Sequence, residues 1–81
     1  MPQGQADEIS PAQLRAARAW LGLTQAELAL RAGVGRGVIA EYERGSRLAH
    51  PSSLTSLKSA LEELGIRFLF EDRRGVGLKA S

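Results

Sequence analysis

Four glycines, Gly22, Gly33, Gly45 and Gly65, cut this chain into short pieces, and each follows a segment whose apolar residues recur at helical spacing. Glycine accepts the left-handed backbone conformation that ends a helix, which side chains with a Cβ adopt only at a steric cost. The chain therefore reads as a run of short helices. The starts are marked as clearly as the stops. Ser10-Pro11-Ala12-Gln13 offers a capping hydroxyl, a proline suited to the first turn, and a glutamine that can reach back to the cap. The helix that follows sets Leu14, Ala17, Arg18 and Leu21 on one face. Thr24-Gln25-Ala26-Glu27 is a second capping box, opening a helix with Leu28 and Ala32 on one side. Gly35 is the N-cap of a third helix from about Arg36 to Arg44, with Val38, Ile39 and Tyr42 as its apolar residues.

After a loop over 46–53, a fourth helix carries Leu54, Leu57, Leu61 and Leu64 as an apolar stripe. From Ile66 the period changes to two. Ile66, Phe68 and Phe70 alternate with Arg67 and Glu71, Asp72-Arg73-Arg74-Gly75 has turn composition, and Val76, Leu78 and Ala80 suit a returning strand. Residues 1–9 show no periodicity and are expected to form a flexible tail. The expected organisation is a mainly α fold, with a tail over 1–9, a four-helix domain over 10–65, and a C-terminal β-hairpin over 66–81 belonging to the same domain.

With 81 residues, 43% of them hydrophobic, the chain makes one domain with a modest core and little room for a deep catalytic cleft. The absence of cysteine excludes disulfides and thiolate metal sites. No apolar run approaches the roughly 20 residues that span a bilayer, and the polar, acidic N-terminus does not have the character of a signal peptide. Residues 11–50 hold six arginines against three glutamates, whereas 1–10 are acidic. Such a local positive excess suits phosphate binding, and it also suits an ordinary solvated helical surface.

The functional signal lies in the arrangement of the second and third helices. Both are short and capped, and a tight turn at Gly33 joins them. Ala29 falls where two helices must approach closely, and Val34 and Ile39 can plug the angle between them. This is the helix-turn-helix pattern, in which the first helix braces on the DNA backbone and the second enters the major groove.

Residues 12–65 resemble the Cro/phage-repressor-type (XRE-like) family of small bacterial DNA-binding regulators. The resemblance rests on Leu14-Arg15-x-x-Arg18, Leu21-Gly22-Leu23-Thr24-Gln25-x-Glu27-Leu28-Ala29, Ala32-Gly33-Val34, Ile39-x-x-Tyr42-Glu43-x-Gly45 and the leucine-striped fourth helix. It implies a four-helix, lambda-repressor-like fold and a set of roles. Thr24 and Gln25 would meet a phosphate at the N-terminus of the second helix, where free N–H groups favour an anion. Arg36, Gly37, Ala40 and Glu41 would face base edges. Arg36 would grip guanine at two points or else hold a phosphate; Glu41 would accept from cytosine N4 or else pair with a nearby arginine. Arg44, Ser46 and Arg47 would lie along phosphates, unless the arginines are merely solvated. Arg18, on the apolar face of its helix, needs a partner, and the resemblance supplies Glu43 as a structural ion pair.

Two positions depart from the family pattern. Serine or threonine is usual at 35 and a larger side chain at 37, yet both are glycine. Gly37 alone should weaken the third helix by up to ~1 kcal/mol, and it leaves fewer side chains for direct readout. Either the backbone comes close to DNA there, or specificity rests more on DNA shape.

Other features carry less. Gly33-x-Gly35-x-Gly37 follows a helix rather than a strand and lacks the Walker lysine, so it is no nucleotide loop. His50 has no companion for a metal and suits a loop or cap. The serines lack a nucleophile-elbow setting. Trp20 lies off the leucine face of its helix and either covers the hairpin or meets a partner; Tyr42 is a packing residue.

The expectation is thus a non-enzymatic regulator, a repressor, that reads double-stranded DNA with the helix over 36–44, without cofactor or metal, in the cytoplasm at the nucleoid. Ile66, Phe68, Phe70, Val76 and Leu78 offer more apolar surface than two strands can hide, so the hairpin is expected to form a homodimer interface. The alternative is an antitoxin-like module that holds another, unknown protein, with DNA binding secondary.

Overall fold

The computed structural model describes residues 8–80. Its elements are α1 (Pro11–Leu21), α2 (Gln25–Ala32), α3 (Arg36–Glu43), α4 (Pro51–Glu63), β1 (Ile66–Glu71) and β2 (Arg74–Ala80). Both capping boxes form. Ser10 Oγ accepts from the Gln13 N–H at 3.1 Å and Gln13 Oε1 accepts from the Ser10 N–H at 2.9 Å; Thr24 and Glu27 make the same reciprocal pair at 3.0 and 2.8 Å. Gly22 and Gly33 close α1 and α2 at φ of 68° each, the left-handed geometry their positions require.

The core joins Leu14 and Ala17 of α1, Leu28 of α2, Ile39 and Tyr42 of α3, Leu54, Leu57, Ala60 and Leu61 of α4, and Ile66 and Phe68 of β1. Ile9 belongs to it as well, at 1% exposure. The expected tail over 1–9 is therefore corrected at its end. Ile9 is held by burial and by the Tyr42 hydroxyl, which donates to its carbonyl at 2.6 Å; residues 1–7 lie outside those described. The fourth helix also starts earlier than expected. His50 caps it through Nδ1, which accepts from the Ser52 N–H at 3.1 Å, and Pro51 takes the first turn.

The hairpin turns on Asp72 and Arg73, both at positive φ (52° and 68°), the backbone that a two-residue turn between twisted strands demands. Its register pairs Phe68 with Leu78 and Leu69 with Gly77, then Phe70 with Gly75. Val76 is the extra residue of a β-bulge. Gln13, capping α1, also reaches the hairpin here: its Nε2 donates to the Leu69 carbonyl at 2.8 Å and to the Gly77 carbonyl at 2.9 Å. A Cβ on Gly75 would stand 1.8 Å from Gln13 Oε1, so glycine is what lets α1 and β2 approach. β1 packs on α4, where Lys58 Nζ lies 5.5 Å from the Phe70 ring centre.

This packing takes up part of the surface expected for a dimer. Ile66 and Phe68 are buried within the chain, and Phe70 and Leu78 are half-buried against the same core. Val76 alone of the five is well exposed, at 53%, because the bulge breaks the alternation that would have put it beside Leu78. No helix among the described residues is long and apolar enough to cross a membrane.

Candidate nucleic-acid interface

α2 and α3 pack directly on each other, and the turn between them is closed by two backbone bonds onto one carbonyl. Gly33 N–H and Val34 N–H donate to Ala29 O at 2.9 and 3.2 Å. Ile39, Tyr42 and Glu43 face inward. The opposite side of α3 exposes Arg36, Gly37 and Val38, with Ala40 and Glu41 partly covered. Gly35 caps α3 without a side-chain bond, as a glycine must.

Glu43 is the junction of three helices. At 3% exposure its carboxylate receives Arg18 Nε on Oε2 and Arg18 Nη2 on Oε1, both at 2.9 Å, and Gln25 Nε2 on Oε1 at 3.0 Å. Arg18 Nη1 also donates to the Leu23 carbonyl at 2.9 Å, and Arg15 donates to the Glu43 carbonyl. Burial pushes the Glu43 carboxyl up, but the bonds from Arg18 and Gln25, with the charges of Arg18 and Arg15, more than offset that and hold it below the usual carboxylate range. Arg18 is raised in turn, first by its bond to Glu43.

At the start of α2, Arg18, Thr24, Gln25, Ala26 and Arg36 line one shallow depression. Arg36 thus stands at the mouth of α2's N-terminus as well as at the front of α3. Thr24 Oγ1 accepts from Glu27, leaving its proton to donate outward.

At the far end of α3, Glu41 is engaged by Arg47 at 2.9 Å, an exposed pair. The Ser46 N–H and hydroxyl both donate to the Glu41 carbonyl at 3.1 Å, which folds the chain back over the helix end. Arg44 projects into solvent. Two apolar residues outside the expected site also stand here. Val38, one of the three apolar residues of its helix, lies out of phase with Ile39 and Tyr42 and is exposed. Leu48, at 91% exposure, shares a groove with Gly37, Val38, Glu41 and Arg47. The out-of-phase β-branched residue was a readable signal for Val38; nothing in the periodicity marked Leu48.

Two short helices joined by a tight turn, with arginines beside the N-terminus of the first and an open outer face on the second, define a helix-turn-helix DNA-binding protein. The Helix-turn-helix family profile matches residues 14–68, and the chain belongs to that family, of the XRE type. It is a DNA-binding transcription regulator and not an enzyme. The chain is similar to the restriction-modification controller protein C.AhdI from Aeromonas hydrophila. The two are 33% identical with a TM-score of 0.61, over 64% of this chain and 79% of the controller. No curated protein matches it.

Proposed function

We propose that the chain is a repressor that binds a specific double-stranded DNA operator as a homodimer, with α3 in the major groove. The observation that carries this reading is the shared depression of Thr24, Gln25 and Arg36 beside the open face of α3, which sets phosphate binding next to groove entry. Thr24 and Gln25 brace on one backbone phosphate, with Arg36 as a second donor to it rather than a reader of guanine. Arg44 and Arg47 follow the phosphates beyond the helix. Base contact then falls to the strip Gly37, Val38, Ala40 and Glu41, where Val38 suits a thymine methyl. Glu41, already paired with Arg47, tempers the charge of that surface. Such a sparse strip supports readout that leans on DNA shape. A regulator of this kind works in the cytoplasm, at the nucleoid.

Selection of bound duplexes from random DNA tests the reading directly. A two-fold symmetric consensus is expected, with affinity falling steeply as salt rises. Absence of duplex binding at low salt sinks it. The exposed Trp20 and Val76, which flank one groove, favour a protein partner as the second reading; recovery of a stoichiometric partner with no operator would support it.

A further inference from the structure

We infer that Glu43 is a positioning residue for DNA: it fixes the side-chain amide of Gln25 so that an N–H, and not the amide oxygen, faces the phosphate. The inference rests on the DNA-binding reading and adds the part played by a buried carboxylate that makes no contact with DNA itself.

The two ends of a glutamine amide are nearly the same shape, and what surrounds them decides which way they point. An ionised carboxylate only accepts hydrogen bonds. Glu43 is held ionised by the two-pronged grip of Arg18, and its Oε1 lies 3.0 Å from the Gln25 amide. Only Nε2 can point inward. The second Nε2 proton is not used by Glu43, and Gln25 lines a depression with Thr24, Ala26, Arg18 and Arg36, where that proton can meet a phosphate. Reversed, the amide would set its oxygen against both the carboxylate and an incoming phosphate, two repulsions at once. Arg18 completes the arrangement, since it lines the same depression and cancels a negative charge that would oppose the phosphate.

The test is a cycle on one operator duplex with Gln25→Ala, Glu43→Gln and the double variant, alongside their melting temperatures. Gln25→Ala is expected to weaken binding about fivefold, the equivalent of one net hydrogen bond. Glu43→Gln should weaken it by a similar factor in the native background and by nothing further in the Gln25→Ala background, while still lowering the melting temperature in both through the loss of the Arg18 pair. Equal loss of affinity in both backgrounds overturns the inference, because Glu43 would then act through stability alone. Should Glu43→Gln fail to fold, Glu43→Asp serves the same cycle: it keeps a charge for Arg18 but withdraws it from the amide, and its loss must likewise vanish without Gln25. If the unmodified chain binds no duplex at low salt, the DNA-binding reading itself has failed; additive losses in a chain that does bind refute the positioning role only.

Discussion

Glu43 holds a negative charge among packed helices, a position that normally expels one. It stays because Arg18, Arg15 and Gln25 supply every bond its carboxylate and carbonyl need. The consequence is a pH dependence of definite sign. Its folded-state pKa is depressed, so the stability it contributes is fully present above the ordinary carboxylate value of about 4.3 and is lost as pH falls through the lower folded value. Urea midpoints measured from neutral pH downward should fall on acidification, and the gap between the native chain and Glu43→Gln should narrow in acid. A constant gap would mean the pair adds nothing linked to protons. A residual slope is expected in the variant, because Glu27 is also lowered, first by the backbone bond from Thr24. Arg36 carries the second prediction at this scale. Standing beside Thr24 and Gln25, it should act on phosphate. Arg36→Ala should weaken all duplexes alike and reduce the salt slope by about one; a loss confined to one operator base pair would return Arg36 to base reading.

Among the elements, α3 trades stability for access. A Cβ added at Gly37 meets nothing within 4 Å, so alanine fits and should stabilise the helix by about 0.5–1 kcal/mol. If the backbone approaches DNA at this point, the same Gly37→Ala variant should melt higher and bind more weakly; tighter binding with higher melting would show that the glycine only loosens the helix. The hairpin inverts the case. Gly75→Ala drives a methyl into the Gln13 amide and should cost about 1–3 kcal/mol in chemical denaturation, as overpacking does. These two glycines also mark where the sequence could be read. The helices were legible because their caps are local: Ser10 with Gln13, Thr24 with Glu27, each within one turn. The scaffold of the proposed DNA-facing surface followed from them. The bulge at Val76 was not legible, since the contact beside it, from Gln13 to the Gly77 carbonyl, joins residues 64 apart in the sequence. Ile9 has no period to mark it, being a lone apolar residue, and the first turn of α4, from Pro51 to Ser53, carries no apolar residue of the stripe that marks the rest of the helix.

At the scale of the whole molecule, the question is what remains for a second copy once the core is satisfied. The core takes Ile66 and Phe68, so their loss should unfold the chain rather than separate subunits: Phe68→Ala is expected to cost about 3–5 kcal/mol. What the fold leaves outside is Trp20 at 54% exposure and Val76, which line a groove between α1 and β2 with Ala12, Ala16 and Leu78. Lone exposed apolar residues are ordinary on a protein surface, but a tryptophan and a valine across one groove form a contiguous patch. The proposed homodimer should use it. The native chain is then expected to sediment as a dimer at micromolar concentration. Trp20→Arg with Val76→Asp should give a folded monomer with an unchanged helical signal. That monomer should still bind a single half-site at its native strength but lose the advantage of linked sites on a symmetric operator, of order a hundredfold or more. Half-sites in the selected operator should lie about one helical turn, ~34 Å, apart. A double variant that stays dimeric and binds the full operator undiminished would move the interface to another face, with the exposed Leu48 beside α3 the next surface to substitute.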